Sequence, residues 1–194
     1  MRVLVIYCHP VPDSFCAALR DAVLDALGEA GHETRLLDLY AIGFDPVMGC
    51  AERRAYNEPG NPHPMPEQAE HLKWAEAMVF VYPTWWYGLP AMLKGWLDRV
   101  WTPEITFDIP TGPGPIRPKM THVRKLGIVT TCGAPRWWTH VVGHPGRRTL
   151  ARGMRALFHK RCRTVFMAHY LMDVSTPDSR AAFLSRVRRK MAAF

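Results

Sequence analysis

An α/β fold, with a parallel sheet covered by helices on both faces, is predicted by three observations. Short apolar runs such as Val3-Leu4-Val5-Ile6 and Ala77-Met78-Val79-Phe80-Val81 are continuous rather than alternating, as in strands buried on both faces. Segments of helical apolar spacing lie between these runs. The two element types alternate along a chain of 194 residues, which implies right-handed crossovers and one doubly wound domain over residues 1–194.

The first strand is expected over Arg2–Tyr7. A helix follows at about Ser14–Glu29, where Phe15, Ala18, Leu19, Ala22, Val23, Ala26 and Leu27 share one stripe. Gly31, free to take positive φ, ends it. A second strand is placed at Glu33–Leu39, and Asn57–Pro66, rich in proline, glycine and asparagine, reads as a loop. Glu67–Glu76 forms a short helix into the third strand, Ala77–Tyr82. Pro90 suits the first position of the next helix, whose stripe is Leu93, Trp96, Leu97, Val100 and Trp101. Pro103–Lys119 is a long proline-rich loop. A fourth strand at Leu126–Thr131, a helix near Gly146–His159, a fifth strand near Thr164–His169 and a helix from about Pro177 to Met191 complete the expected fold.

Composition narrows the function classes. The five cysteines are an odd number, widely spaced and without a CxxC pair, which points to reduced thiols, a cytoplasmic setting and no metal site. The uncharged stretch from Ala77 to Leu93 is too short and too broken by Pro83, Gly88 and Pro90 to span a membrane. Charge is uneven: residues 1–116 carry 8 Lys/Arg against 15 Asp/Glu, whereas residues 117–194 carry 17 against 2. A basic half can meet nucleic acid, phosphate or an acidic partner. No helix-turn-helix, zinc-finger or RNP pattern accompanies it, so nucleic acid is not expected.

The segment YPTWWYGLPAMLKGWLDRVW, Tyr82–Trp101, carries the most information. It sets an aromatic, proline-punctuated loop at the carboxyl end of a buried strand, where open α/β sheets bind ligands. Trp85, Trp86 and Tyr87 offer flat, weakly polar surface for a planar ring. An aromatic core is the plainer alternative, but Pro83, Thr84, Gly88 and Pro90 favour a turn. Gly88 is expected where backbone approaches another group closely. Two further loops, His9–Cys16 and Thr130–His144, follow strand ends and should converge on the same crevice. Asp13-Ser14-Phe15 marks a helix start, which can cap the helix or hold a phosphate. There is no GxxxxGK[ST], no GxGxxG after the first strand, no HExxH and no GxSxG. A phosphate-binding helix start, an aromatic loop and the small-residue Thr130-Thr131-Cys132-Gly133 together suit a flavin.

Cys8-His9-Pro10 with Ser14-Phe15, Asp38-Leu39-Tyr40 with Phe44-Asp45-Pro46, the Tyr82–Trp101 segment and Thr130–Gly133 occur in this order over nearly the whole chain. In these motifs the chain resembles the flavodoxin-like NAD(P)H:quinone oxidoreductases, the family of DT-diaphorase and the bacterial modulator-of-drug-activity proteins. The resemblance implies a flavodoxin-like, doubly wound, five-stranded parallel sheet and a homodimer with its sites at the interface. It implies that His9, Ser14, Phe15 and Cys16 contact the flavin phosphate and ribityl chain. Pro83, Thr84, Trp85, Trp86 and Tyr87 would hold the isoalloxazine edge, and Thr130, Thr131 and Gly133 its pyrimidine side. FAD is the expected flavin, with FMN the alternative, since the Asn57–Pro66 loop of the partner chain suits an adenosine-side wall. NAD(P)H would be the transient hydride donor and a quinone or related acceptor the oxidant.

The chain departs from that family at several positions. Trp138 stands where the family has a tyrosine, and an indole has no acidic phenol to relay a proton. His144 falls on the family histidine that stabilises charge on the reduced flavin, with His140 its competitor. Phe107 replaces a substrate-site tyrosine and is expected to reach towards the partner's flavin, and Cys132 replaces the first glycine of its loop, a modest crowding. A regulatory flavoprotein similar to the ancillary subunits of potassium-efflux systems is the rival reading. A one-electron carrier like flavodoxin fits less well with the net charge of +8.

Overall fold

The sheet is built from β1 (Arg2–Tyr7), β2 (Glu33–Asp38), β3 (Ala77–Pro83), β4 (Lys125–Thr131) and β5 (Arg163–His169). In a computed structural model, which describes residues 1–58, 60, 63–110 and 112–194, all neighbouring pairs are parallel and their order is β2-β1-β3-β4-β5. That is the flavodoxin-like order, with its topological switch between β1 and β3. Strand β3 is buried along its whole length, as its unbroken apolar run requires.

Alternate side chains of β1 feed two separate cores. Leu4, Ile6 and Cys8 face one layer with Trp96, Leu97 and Leu72, while Val3, Val5 and Tyr7 face another with Leu19, Val23 and Val187. The second layer is closed by α1 (Phe15–Glu29) and, at the chain's end, by Pro177–Ala192. The first is closed by α3 (Pro66–Trp74) and α4 (Ala91–Val100), which follow α2 (Cys50–Ala55). Pro90 caps α4 rather than opening it. Gly95 of α4 leaves no room for a Cβ, because the backbone and ring of Pro46 lie directly against it.

Three local elements differ from the expectation. Helix α2 buries no residue, so it carries no apolar stripe; Arg99 fastens it through a fork on Glu52, at 3.0 Å to each carboxylate oxygen. The segment expected as a loop from Thr130 to His144 contains α5 (Arg136–Val142), which ends at Gly143 with φ +87°. The helix expected near Gly146–His159 is three short pieces: α6 (Pro145–Arg148), a π-turn at Thr149–Gly153 and a 3₁₀ turn at Met154–Leu157. The C-terminal helix, Pro177–Ala192, is α7 and opens with a capping box between Thr176 and Ser179. Within the Asn57–Pro66 loop, Pro59, Asn61 and Pro62 lie outside the described residues, as does Thr111 in the Pro103–Lys119 loop. The latter holds a two-residue antiparallel pair, Phe107–Asp108 with Arg117–Pro118.

Candidate flavin-binding site

The carboxyl ends of β1, β3, β4 and β5 are laced together by backbone bonds. The Cys8 amide donates to Val81 at 3.0 Å, the Thr84 amide to Thr131 at 2.7 Å, and the Cys132 amide to His169 at 2.8 Å. Thr84 and Thr130 share a hydroxyl–hydroxyl bond of 2.9 Å. These contacts fix the three loops that the sequence placed at one crevice.

The aromatic loop is a tight turn with an unusual backbone. Gly88 donates to Trp85 across it at 3.0 Å, and the two central residues, Trp86 (φ +49°) and Tyr87 (φ +61°), are both left-handed. That is the geometry of a type I′ turn, normally filled by asparagine and glycine. Two aromatic residues there store about 1–3 kcal/mol each. Trp86 is 96% exposed, so packing within the chain does not explain its conformation. The close approach expected at Gly88 is made instead with Gly146, whose amide donates to Tyr87 at 3.4 Å. A Cβ on Gly146 would lie 3.2 Å from the Gly88 carbonyl carbon, whereas one on Gly88 would meet nothing closer than 3.8 Å.

At the first loop the predicted contacts divide. Ser14 caps α1, its hydroxyl accepting from Ala17 at 3.2 Å, and it retains a proton to donate. His9 Nδ1 lies 3.1 Å from the Val11 amide nitrogen and 3.2 Å from the Val11 carbonyl oxygen, which ties the ring to its own loop; the ring lies 6.2 Å from that of Trp85. Phe15 and Cys16 do not present side chains to the crevice. The Phe15 ring packs edge-on against His169 and, tilted, against Phe183. Cys16 is buried in the α1 core, and burial pushes its thiol up to about 12. Only their backbone amides, in the open first turn of α1, can serve an anion.

The Thr130–His144 segment supplies the third wall. Thr130 and Thr131 are buried, and Gly133 has no space for a Cβ beside the Asp173 carboxylate. Cys132 causes no crowding: its thiol tucks under α5, 3.7 Å from the Thr139 hydroxyl. His144, left-handed at φ +49°, turns its ring inward, where only 8% of the residue is exposed. The ring meets His140 at 4.7 Å, Phe166 at 5.8 Å and Tyr170 at 6.2 Å. Burial first, then His140, Arg147, Arg136 and Arg148, push its pKa below the ordinary histidine value, which favours the neutral imidazole. Trp138 reaches back to the aromatic turn, its indole donating to the Tyr87 hydroxyl at 2.8 Å.

One cavity wall therefore joins Thr84, Tyr87, Thr130, Cys132 and His144 with residues the sequence reading missed, chiefly Tyr170, Arg147 and Thr139. Tyr170 follows the fifth strand, and that position at a strand's carboxyl end was the available signal. Pro83 ends β3 in register with Thr131. Phe107 does not join this wall; its half-buried ring packs on the core beside its short strand.

The residues present fit a flavin. Among the described residues the amides of Trp86, Tyr87 and Gly133 donate to no group of the chain, giving donors at the crevice lip for a ring's carbonyl and nitrogen edge. The open turn of α1 offers a phosphate seat beside them.

Family comparison agrees with this geometry. The Flavodoxin_2 family, described as a flavodoxin-like fold, matches residues 1–194, and the chain belongs to it. A Methanothermobacter marburgensis structure described as an NAD(P)H:quinone oxidoreductase superimposes with a TM-score of 0.86 at 27% identity, covering 99% of this chain and 96% of its own. The human ribosyldihydronicotinamide dehydrogenase [quinone] is 29% identical over 126 residues, 56% of this chain and 54% of its length. A ribosyldihydronicotinamide dehydrogenase-like protein of Penicillium crustosum is 32% identical over 118 residues, 53% of this chain and 44% of its length. The chain thus spans about half the length of the curated relatives it matches. Among the described residues no helix is long and apolar enough to cross a membrane.

Proposed function

We propose that this chain is a flavin-dependent NAD(P)H oxidoreductase that transfers two electrons to quinones or related acceptors. The observation that carries the reading is the strained Trp86-Tyr87 turn, set with unpartnered amides at the carboxyl edge beside the open end of α1. When bound, a flavin supplies the hydride chemistry. The protein's part is to orient and to screen. Thr84, Thr130 and the turn amides hold the ring edge, while Trp85 and Trp86 wall the stacking space and keep water from it. His144, neutral, acts as a hydrogen-bonding dipole, and the nearby Arg136, Arg147 and Arg148 supply the positive field that meets accumulating negative charge. The Tyr87 hydroxyl is the phenol nearest this wall from the aromatic turn.

FAD is the proposed flavin. In support, the Asn57–Pro66 loop borders a cavity of about 300 Å³ with Thr102 and Glu104, of a size for an adenosine. A homodimer in the cytoplasm completes the proposal, with Phe107 turned to the partner's site. The deciding experiment is purification and assay. A yellow protein carrying about one flavin per chain, reducing a quinone panel with NADH or NADPH, is expected. A colourless protein that binds neither FAD nor FMN overturns the reading. A flavin-loaded protein inert to every acceptor supports the regulatory alternative, which the basic C-terminal half favours.

A further inference from the structure

Beside the flavin wall runs a groove of about 900 Å³ that follows the edge strand β5. Of the cations that line it, Arg155 is tied to the Cys162 carbonyl at 2.7 Å; Arg136 of α5, Arg147 and Arg148 of α6, and Arg152 line one side, and Arg186 and Lys190 of α7 line the other. None of these six cations lies within ion-pair distance of an Asp or Glu among the described residues. The only acids after residue 116 are Asp173 and Asp178. Arg147 lies over the Phe166 ring at 4.8 Å and Arg186 over Phe183 at 4.7 Å, so both guanidinium groups are held in place yet unneutralised. Charge on an edge strand discourages edge-to-edge pairing. That purpose is met by one or two charges of either sign and does not account for six of one sign facing each other. Their mutual repulsion opposes folding, and a bound polyanion relieves it.

The groove opens onto the flavin wall: His144, Arg147, Phe166 and Tyr170 line both. We infer that it binds the phosphates of the hydride donor and selects the donor with a 2′-phosphate, NADPH, over NADH. This rests on the oxidoreductase reading above. A pyrophosphate alone carries two negative charges, too few for six unpaired cations. The 2′-phosphate adds roughly 1.5 to 2 more and three strong acceptor oxygens suited to arginine forks.

The test is calorimetric titration of the flavin-loaded protein with 2′,5′-ADP and with 5′-AMP, beside steady-state kinetics with both donors. Binding of 2′,5′-ADP at least about ten-fold tighter than 5′-AMP is expected, with a similar advantage of NADPH in kcat/KM. Arg152→Gln/Arg186→Gln, which leaves the arginines assigned to the flavin wall in place, should erase both differences, chiefly through KM. Should that variant not fold, salt serves on the wild type: the 2′,5′-ADP affinity should fall steeply between about 50 and 300 mM salt, and that of 5′-AMP less. Equal affinities, or a preference that survives the double substitution, overturn the inference. So does binding of heparin or an acidic peptide without binding of 2′,5′-ADP, which would make the groove a macromolecular dock. A yellow protein that reduces quinones from NADH and NADPH alike overturns this inference and leaves the function standing. A protein without flavin overturns the function itself.

Discussion

The Trp138 indole donates a 2.8 Å hydrogen bond to the Tyr87 hydroxyl, tying α5 to the aromatic turn across 51 residues of sequence. The bond occupies one lone pair of the phenol oxygen and leaves the phenol proton free to point elsewhere. The indole of Trp138 has no acidic phenol to relay a proton, but Tyr87 and Tyr170 both line the wall that His144 lines.

Substituting either partner of this bond should have the same consequence. Tyr87→Phe and Trp138→Phe should each loosen the turn and weaken flavin retention by about 0.5–1.5 kcal/mol, the range of one net hydrogen bond. The double variant should be no worse than either single one. A double-mutant cycle on flavin dissociation constants checks this. Additive losses would show that the two residues act separately.

Ser14→Ala separates two roles that the geometry superimposes. Loss of the cap to Ala17 should lower the stability of the flavin-free protein by about 0.5–2 kcal/mol. Loss of a hydroxyl donor to phosphate should weaken flavin affinity beyond that amount, by on the order of 1.5–3 kcal/mol. Denaturation of the flavin-free protein and a flavin titration distinguish the two. Affinity unchanged with stability reduced would leave Ser14 a cap and nothing more.

The sheet was legible because its strands are continuous apolar runs, whose period says both faces are covered; β3 is buried at every position. The elements missed are those without such a signal. Helix α2 buries nothing, and α5 buries only Thr139, so neither has a stripe to read. Of the cavity wall, the residues in ordered motifs are those the sequence names, and those carried in by the fold are not. Tyr170 and Arg147 belong to the wall only because β5 and α6 carry them there. Phe15 and Cys16 were placed at the phosphate seat by motif, yet their side chains turn into the α1 core. Helix geometry sends successive side chains round the axis while the first-turn amides all point one way.

Gly146 is the residue whose role no motif disclosed. A methyl group there would press on the Gly88 backbone at 3.2 Å, and a backbone neighbour cannot rotate aside. Gly146→Ala should therefore displace the aromatic turn by a few tenths of an ångström and destabilise the protein by about 1–3 kcal/mol. Gly88→Ala, facing only contacts of 3.8 Å, should be milder. Urea midpoints of both variants, read with flavin affinity, test the ranking. A larger loss at Gly88 would show that the crowding lies where the sequence first placed it.

His144 should reveal itself in both stability and rate. Its pKa in the folded chain is pushed below its unfolded value, chiefly by burial and then by His140 and three arginines. The unfolded chain thus takes up the proton more readily, and stability rises with pH while it does. The contribution is complete above the unfolded value of about 6.5 and is lost as pH falls below it towards the folded one. His169, also depressed by burial, acts in the same direction. His144→Gln should flatten part of this acid-side slope in urea unfolding, seen below about pH 6.5. The same substitution should slow reduction of the flavin-loaded protein by NAD(P)H by about ten-fold, one lost hydrogen bond to developing charge, with little change in flavin affinity. His140, exposed and 4.7 Å away, should matter less when changed to Gln. Anaerobic stopped-flow reduction of both variants decides the matter. A large drop for His140→Gln with no effect for His144→Gln would transfer the role to the outer histidine. The inner ring would then be a packing residue between Phe166 and Tyr170.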